Sequence, residues 1–325
     1  MTLPDPARYA AEAARAIGAG YADLDTGGGY LFRISRGGCS VLGGAGAICS
    51  YPVNSATSVA IARDKSHAKS VLRDAGLPVI PGGLFFAQTR RAMLRGPGRE
   101  IADARSFAAG LGYPVFCKPN TGGRGNFAEI IASDVDLSGY AARLAVDFEA
   151  FLVEPVIAGV EHRVLIQDGR SVFHSTKSPP ALEGDGVSSL AELLDRLNRA
   201  LEETDVSPYP HSSLDQTSRR TADIPVAGER IPLPGRRNLS TAGAVEEFSE
   251  EVPAPLHDLA REAVAALGLR IGAVDLFDTS AARDLSRLVV IEVNGNPGLR
   301  TLELAGRMDL IAGIWSGMLN ELLEG

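Results

Sequence analysis

The residues with the clearest chemical potential lie in RLVVIEVNGNPGLR, residues 287–300. Arg287 to Val293 reads as a buried strand, apolar and β-branched, closed by Asn294-Gly295. Side chains alternate along a strand, so Glu292 and Asn294 share one face while Ile291 and Val293 point the other way. A buried carboxylate and amide need a partner, and a hard cation such as Mg²⁺ beside a nucleotide is one that takes oxygen ligands. For these two residues alone, a strand end emerging into solvent is an equal alternative. RIGAVDLFD, residues 270–278, is a second apolar strand, interrupted by Asp275, and only TSAARDLS separates the two. So short a connection makes them an antiparallel pair with Asp275 facing Glu292. Two unpaired carboxylates so placed would repel and be costly to bury. Asp275, Glu292 and Asn294 are therefore the expected metal ligands.

A second group of residues suits phosphate. Asp64 reads as the N-cap of a helix that stops at Gly76, with Lys65 at its start. A lysine at the positive end of a helix is electrostatically odd, and a bound anion accounts for it as well as a plain surface position does. YPVFCKPNTGGRGNFAEII, residues 113–131, reads strand, glycine-rich turn, strand. Lys118 at the end of the first strand meets phosphate oxygens while the backbone of Gly122, Gly123 and Gly125 closes over them. The Walker loop is excluded, since the lysine precedes the glycines and no helix follows. The turn suits a mobile lid. FLVEPVIAG, residues 151–159, is a strand that Pro155 ends, leaving backbone groups near Glu154, Val156 and Ile157 free for a ring such as adenine. Glu161 suits ribose hydroxyls, although each glutamate by itself reads as solvated.

These groups need elements to hold them. The pattern predicts helices over 4–19, 103–111 and 256–267, the last packed behind the metal strands, and an amphipathic closing helix from Met308. A strand is expected at Tyr30–Ser35, and the glycine-rich stretch 37–50 reads as close-packed turns. Val164–Gln167 and Ser171–Ser175 form a hairpin around Asp168-Gly169, a type I′ signal. Ser189 and Glu192 make a capping box for a helix with leucines on one face. Residues 207–255 show no regular pattern and read as a long loop, functional or disordered. The expected division is a small N-terminal segment, 1–60, a lid subdomain, 61–158, and a catalytic subdomain, 159–325.

With 325 residues, 45% hydrophobic and 22% charged, the chain is long enough for two or three globular subdomains. A net charge of −8 with dispersed basic residues excludes a nucleic-acid binder. No stretch is long and apolar enough to span a bilayer, and the N-terminus lacks a secretory pattern, so the expected compartment is the cytoplasm. Cys39, Cys49 and Cys117 lack metal spacing and read as buried structural thiols, and the five histidines receive no chemistry.

The set Asp64-Lys65, Lys118 with TGGRG, Glu154-Pro155-Val156-Ile157, Glu161, Asp275 and Glu292-Val293-Asn294 resembles the ATP-grasp superfamily over roughly residues 55–310. Within it the chain looks most like the ATP-grasp module of cyanophycin synthetases and of bifunctional glutathione synthetases. The resemblance implies an α/β (α+β) ATP-grasp fold, with nucleotide held between a small lid and a C-terminal antiparallel sheet. It implies ATP with two Mg²⁺, Mn²⁺ being an alternative, and Lys177 near the γ-phosphate. It implies that Arg236 and Asn238 in GRRNLSTAG approach the phosphates and metal, and that Arg300 clamps a substrate carboxylate. Ala242 stands where the family usually has glycine, and AVEEF replaces a GGxxxD pattern.

The implied activity is an ATP-dependent carboxylate–amine ligase acting on an amino acid or short peptide, with no nucleic acid or membrane partner. A homo-oligomer is left open. A phosphotransferase on the same scaffold and a nucleotide-binding partner subunit are the alternatives. On the ligase reading, Asp275→Asn and Glu292→Gln should abolish turnover and leave folding largely intact.

Overall fold

A computed structural model describes residues 3–90, 92–123, 125–177, 181–203, 208–217, 219–233 and 246–324. The chain enters through α1 (Asp5–Ala16), which has Asp5 in its first turn and Arg15 in its last, as the helix dipole favours. Its buried residues are Ala7, Tyr9, Ala10, Ala13 and Ala14. The antiparallel meander β1 (Gly20–Asp23), β2 (Leu31–Arg36) and β3 (Cys39–Gly44) follows. β3 lies where the sequence suggested turns only. Its glycines obscure the strand pattern, and Gly43 is required there because a side chain would collide with the Phe32 ring.

Ser55 caps α2 (Ala56–Arg63), an element the sequence reading did not anticipate. Asp64 ends α2 and caps α3 (Lys65–Asp74), its carboxylate accepting from the His67 N–H at 2.9 Å. Next come β4 (Gly83–Phe86), α4 (Ile101–Leu111), β5 (Val115–Pro119), β6 (Glu129–Ile131), α5 (Asp134–Leu144) and β7 (Ala150–Pro155). They build an antiparallel four-stranded sheet in the order β4-β7-β5-β6, packed on α4 and α5 through Ala104, Ala108, Leu137, Tyr140 and Phe151.

The remaining strands are β8 (Val160–Gln167), β9 (Arg170–Lys177), β10 (Ala181–Glu183), β11 (Arg230–Pro232), β12 (Glu246–Ser249), β13 (Ile271–Asp278) and β14 (Leu288–Asn294). Five of them form an antiparallel sheet in the order β12-β9-β8-β13-β14. The hairpin between β8 and β9 turns at Asp168 and Gly169, both at positive φ, as the type I′ signal required.

One face of this sheet, bearing Val164, Ile166, Val274 and Leu276, packs on α7 (Ala254–Ala266) and on Ala68 and Leu72 of α3. At one end of the other face, Leu165, Phe173, Ile271 and Ala273 meet α1, the meander and Trp315 of α9 (Met308–Glu324). The connection 207–255 holds a 3₁₀ turn (His211–Gln216), β11 and β12, elements too short to leave a period in the sequence. With α6 (Leu190–Glu202), capped by the Ser189–Glu192 box, β10 and β11 enclose a small core of their own.

The N-terminal segment is tied to the ends of the chemistry-bearing strands. The buried Asn54 amide donates to the Ile271 and Gly295 carbonyls at 2.8 and 2.9 Å. Its oxygen accepts from the Arg270 and Ile271 N–H groups at 2.9 and 3.1 Å. One side chain thereby fixes the start of β13 against the end of β14. Among the described residues no helix is long and apolar enough to cross a membrane.

Candidate active site

The register places Asp275 opposite Glu292 on one side and Arg163 on the other. The pairing of β13 with β14 shifts after Asp275, leaving Ile291 as an extra residue on β14. Such a bulge re-aims a side chain. Ile291 lines the same cavity as Glu292, whereas strict alternation had it pointing away; Val293 does face the opposite core.

Asp275 also departs from expectation, because it is not an unpaired carboxylate. Arg163 grips it with both prongs of its guanidinium, Nε to Oδ1 and Nη2 to Oδ2, each at 2.8 Å. Lys177 Nζ donates to Oδ1 at 3.0 Å and to Glu161 Oε1 at 2.7 Å. Burial alone would raise the Asp275 pKa, but Arg163 and Lys177 outweigh it and hold the carboxylate well below its usual range. Glu161 is shifted the other way, because burial and the nearby Asp275 outweigh the attraction of Lys177. The alternating face VEHRVLI puts Arg163 beside Glu161, a signal from which Arg163 was readable and missed.

A second buried charge cluster sits between α3 and the four-stranded sheet. Glu154, 1% exposed, is shared by Lys69 and Lys118, with Lys118 Nζ at 3.2 Å. Burial pushes Glu154 up, but the two ammonium groups more than offset it and leave its pKa below the ordinary value. Lys69 also donates to the Ile80 carbonyl at 3.0 Å. Burial lowers its pKa to about 8 despite Glu154. Lys69 was not singled out in the sequence, though it lies four residues after Lys65 and follows the core residue Ala68. Lys65 Nζ donates to the Gly122 carbonyl at 2.9 Å and lies 3.7 Å from Glu292 Oε2, so it joins the glycine loop to the β14 carboxylate.

These groups surround one cavity of about 340 Å³ between the two sheets. Lys65, Lys118, Gly122, Gly123, Gly125, Glu154, Val156, Ile157 and Glu161, all expected to contact nucleotide, line it, and so do Asp275 and Glu292. Its apolar walls include Phe116, Ile130, Phe148 and Phe277. Gly122 has φ +96°, and a Cβ there would stand 3.1 Å from the Phe148 ring, so the loop's path depends on glycine at that point.

Three described site residues stand outside the cavity lining, the first being Lys177, which is buried against Glu161 and Asp275. Asn294 follows Glu292 on β14 and donates to its Oε1 at 3.3 Å, but it is not among the residues lining the cavity. Arg300 is exposed at the start of α8 (Arg300–Leu304), also outside the cavity lining. Arg236 and Asn238 fall outside the described residues.

Among the described residues no group of three or more histidine, cysteine and acidic side chains is placed to hold a metal. Magnesium does not require one, since it is commonly held by one or two carboxylates with waters and substrate phosphates. Glu292 and the Asn294 amide oxygen are hard donors of the right kind. Asp275, with three hydrogen bonds received, keeps acceptor capacity on Oδ2. The donor set fits Mg²⁺.

The architecture, a four-stranded sheet facing a larger antiparallel sheet across a lysine- and carboxylate-lined cavity, is that of the ATP-grasp fold, and the chain is similar to proteins of that fold. It is 28% identical over 256 residues to a cyanophycin synthetase of Trichormus variabilis, covering 74% of this chain and 27% of that protein. It thus spans about a quarter of the length of these relatives. Its structure matches that of a bifunctional glutathione synthetase from Pasteurella multocida with a TM-score of 0.52 and 20% identity, over 95% of this chain and 44% of the other. D-alanine–D-alanine ligase from Bacillus anthracis matches with a TM-score of 0.51 and 18% identity, over 84% and 72% of the two chains. No family model matches the chain.

Proposed function

We propose that the chain is an ATP-dependent carboxylate–amine ligase that forms an amide bond through an acyl phosphate and acts on an amino acid or short peptide. The observation that carries this reading is the convergence of Lys65, Lys118, the loop glycines, Glu161, Asp275 and Glu292 on one cavity. Similarity to cyanophycin synthetases supports the ligase class.

A carboxylate cannot be attacked directly by an amine, because oxide would have to leave. Its oxygen instead attacks the γ-phosphorus of ATP, the bond to the β-phosphate oxygen breaks, and ADP departs. The amine then attacks the acyl carbon, the carbon–oxygen bond to phosphate breaks, and the nitrogen loses a proton. The first step depends on positioning and charge neutralisation more than on covalent help from the protein.

In this reading the apolar walls and the backbone at Val156 and Ile157 seat the base, and Glu161 takes the ribose. Lys118 and Lys65 bind phosphate oxygens, Lys65 leaving the Gly122 carbonyl to do so. Arg163 and Lys177 fix the Asp275 carboxylate, with Lys177 toward the γ-phosphate. The glycine loop covers the phosphates and shields the acyl phosphate from water. Arg300 takes a substrate carboxylate, and Arg236 and Asn238 are assigned to the phosphates through the resemblance alone. Asp275, Glu292 and Asn294 would hold Mg²⁺, two ions in this reading, which when bound neutralise charge on the transferring phosphoryl group.

The test is ADP and phosphate release with Mg-ATP across amino acids and dipeptides, offered singly and in pairs, with mass spectrometry of the products. A requirement for two substrates, and a product lighter than their sum by one water, is expected. Release with one substrate and a phosphorylated product would replace the ligase by a phosphotransferase.

A further inference from the structure

The cavity holds its charges almost in balance. Among the described residues, Lys65, Lys69, Lys118, Arg163 and Lys177 stand against Glu154, Glu161, Asp275 and Glu292. Lys177 and Arg163 are matched by Glu161 and Asp275, and Lys65 lies beside Glu292. The surplus positive charge belongs to the cluster Lys69–Glu154–Lys118, in which one carboxylate serves two ammonium groups. Lys118 lines the cavity, whereas Lys69, 6% exposed, is not among the lining residues and meets the lining through Glu154 and the Ile80 carbonyl, of which only Glu154 carries charge.

We propose that Lys69 is a positioning residue that sets the charge of the phosphate-binding end of the cavity, neutralising Glu154 so that Lys118 faces the nucleotide with its charge uncompensated. The inference rests on the nucleotide reading of the cavity and deepens it. Without Lys69, Glu154 and Lys118 form a closed one-to-one pair, and the described charges around the cavity sum to zero. A polyphosphate then loses attraction from one unit charge across a few ångströms of protein, whereas an uncharged nucleoside loses nothing. The effect is also pH-dependent. Lys69 faces Glu154 on β7 and Lys118 on β5, with Arg73 on its own helix, and its pKa of about 8 places its deprotonation just above neutrality. Polyphosphate binding favours the protonated cluster, so affinity falls as pH rises through that value.

The test measures binding of ATP, ADP and adenosine by calorimetry to the full chain and to its Lys69→Met, Lys69→Arg, Glu154→Gln and Lys69→Met/Glu154→Gln variants, each checked for folding by thermal melting. Lys69→Met should weaken ATP and ADP by roughly tenfold or more, from the loss of one nearby charge at an effective dielectric of about 20, and leave adenosine unchanged. The double variant removes the carboxylate as well and restores the surplus charge on Lys118, so it should recover ATP affinity to the level of Glu154→Gln alone, the reference that carries any contact Glu154 itself makes with nucleotide. Wild-type affinity for ATP should drop between pH 7 and 9, and that of Lys69→Arg should not. Equal weakening of adenosine and ATP, unchanged ATP binding in Lys69→Met, or failure of the double variant to recover overturns the assignment of Lys69. A wild-type chain that binds none of the three overturns the nucleotide reading itself.

Discussion

Asp275 and Glu292 face each other across two strands, yet they sit in different electrostatic settings, and their substitutions should behave differently. Asp275 is 2% exposed and compensates both Arg163 and Lys177. Removing its charge takes from Arg163 and Lys177 the buried carboxylate they share, and breaking a buried pair from one side costs about 3–5 kcal/mol. Asp275→Asn should therefore lose turnover and also melt markedly earlier, contrary to the expectation of intact folding. Glu292 is a quarter exposed at its side chain and, among the described residues, pairs only with Lys65 at 3.7 Å, so Glu292→Gln should lose turnover at near-normal melting temperature. The pH dependence has a definite sign. The folded pKa of Asp275 lies below its unfolded value of about 3.9, so its stabilising contribution is complete above that pH and is lost as pH falls toward the folded value. In Arg163→Met the burial effect is opposed by Lys177 alone, and thermal melts between pH 3 and 7 should show acid destabilisation setting in at a higher pH than in the wild type. The opposition of Asp275 and Glu292 was legible because strand alternation and a short connection leave one register. Arg163 and Lys69 were not read, because a lone cation in an amphipathic pattern looks solvated until the neighbouring strand supplies its carboxylate.

Elements were legible where a cap or a turn marked them and obscure where glycine or brevity erased the period. Asp64, Ser189 with Glu192, and Asp168-Gly169 each did what its chemistry required. α5 has an equally good signal in Ser133, whose hydroxyl accepts from the Asp136 N–H at 3.2 Å, but it was passed over beside the glycine loop. The connection through Asn54 was out of reach, because its four partners lie more than 200 residues away at the ends of β13 and β14. Those partners belong to the strands that carry the site, so Asn54 links the N-terminal segment to catalytic geometry. Asn54→Ala strands buried backbone groups and should lower stability by about 2–3 kcal/mol, read by urea unfolding. Turnover should fall further than nucleotide affinity, since β13 and β14 hold Asp275 and Glu292 while the lid holds Lys118.

The whole molecule divides its apolar core in a way that predicts how it will open. The cluster around Trp315 joins α1, the meander, α9 and one face of the five-stranded sheet, and the cluster around α7 covers the other face, so the sheet couples the two. The four-stranded sheet has a core of its own beneath α4 and α5, but its strands bring Lys118 and Glu154 against Lys69 of α3. Among the described residues, the core of Leu182, Leu190, Leu193, Leu194, Leu201, Tyr209, Leu214, Ile231 and Leu233 shares no residue with the other three. A unit closed on itself can open below the global unfolding free energy. Leu194 is fully buried in it, and a leucine-to-alanine change at such a site costs about 2–5 kcal/mol. In Leu194→Ala that loss should fall on this unit first. Hydrogen exchange should then speed up across α6, β10 and β11 while protection of β8, β13 and β14 is kept, and ADP affinity should stay within about threefold of wild type, a difference under 1 kcal/mol. Trp315→Ala, in the core that the central sheet shares, should lower protection in every strand of that sheet. Uniform loss of protection in Leu194→Ala would mean instead that the unit unfolds only with the rest of the chain.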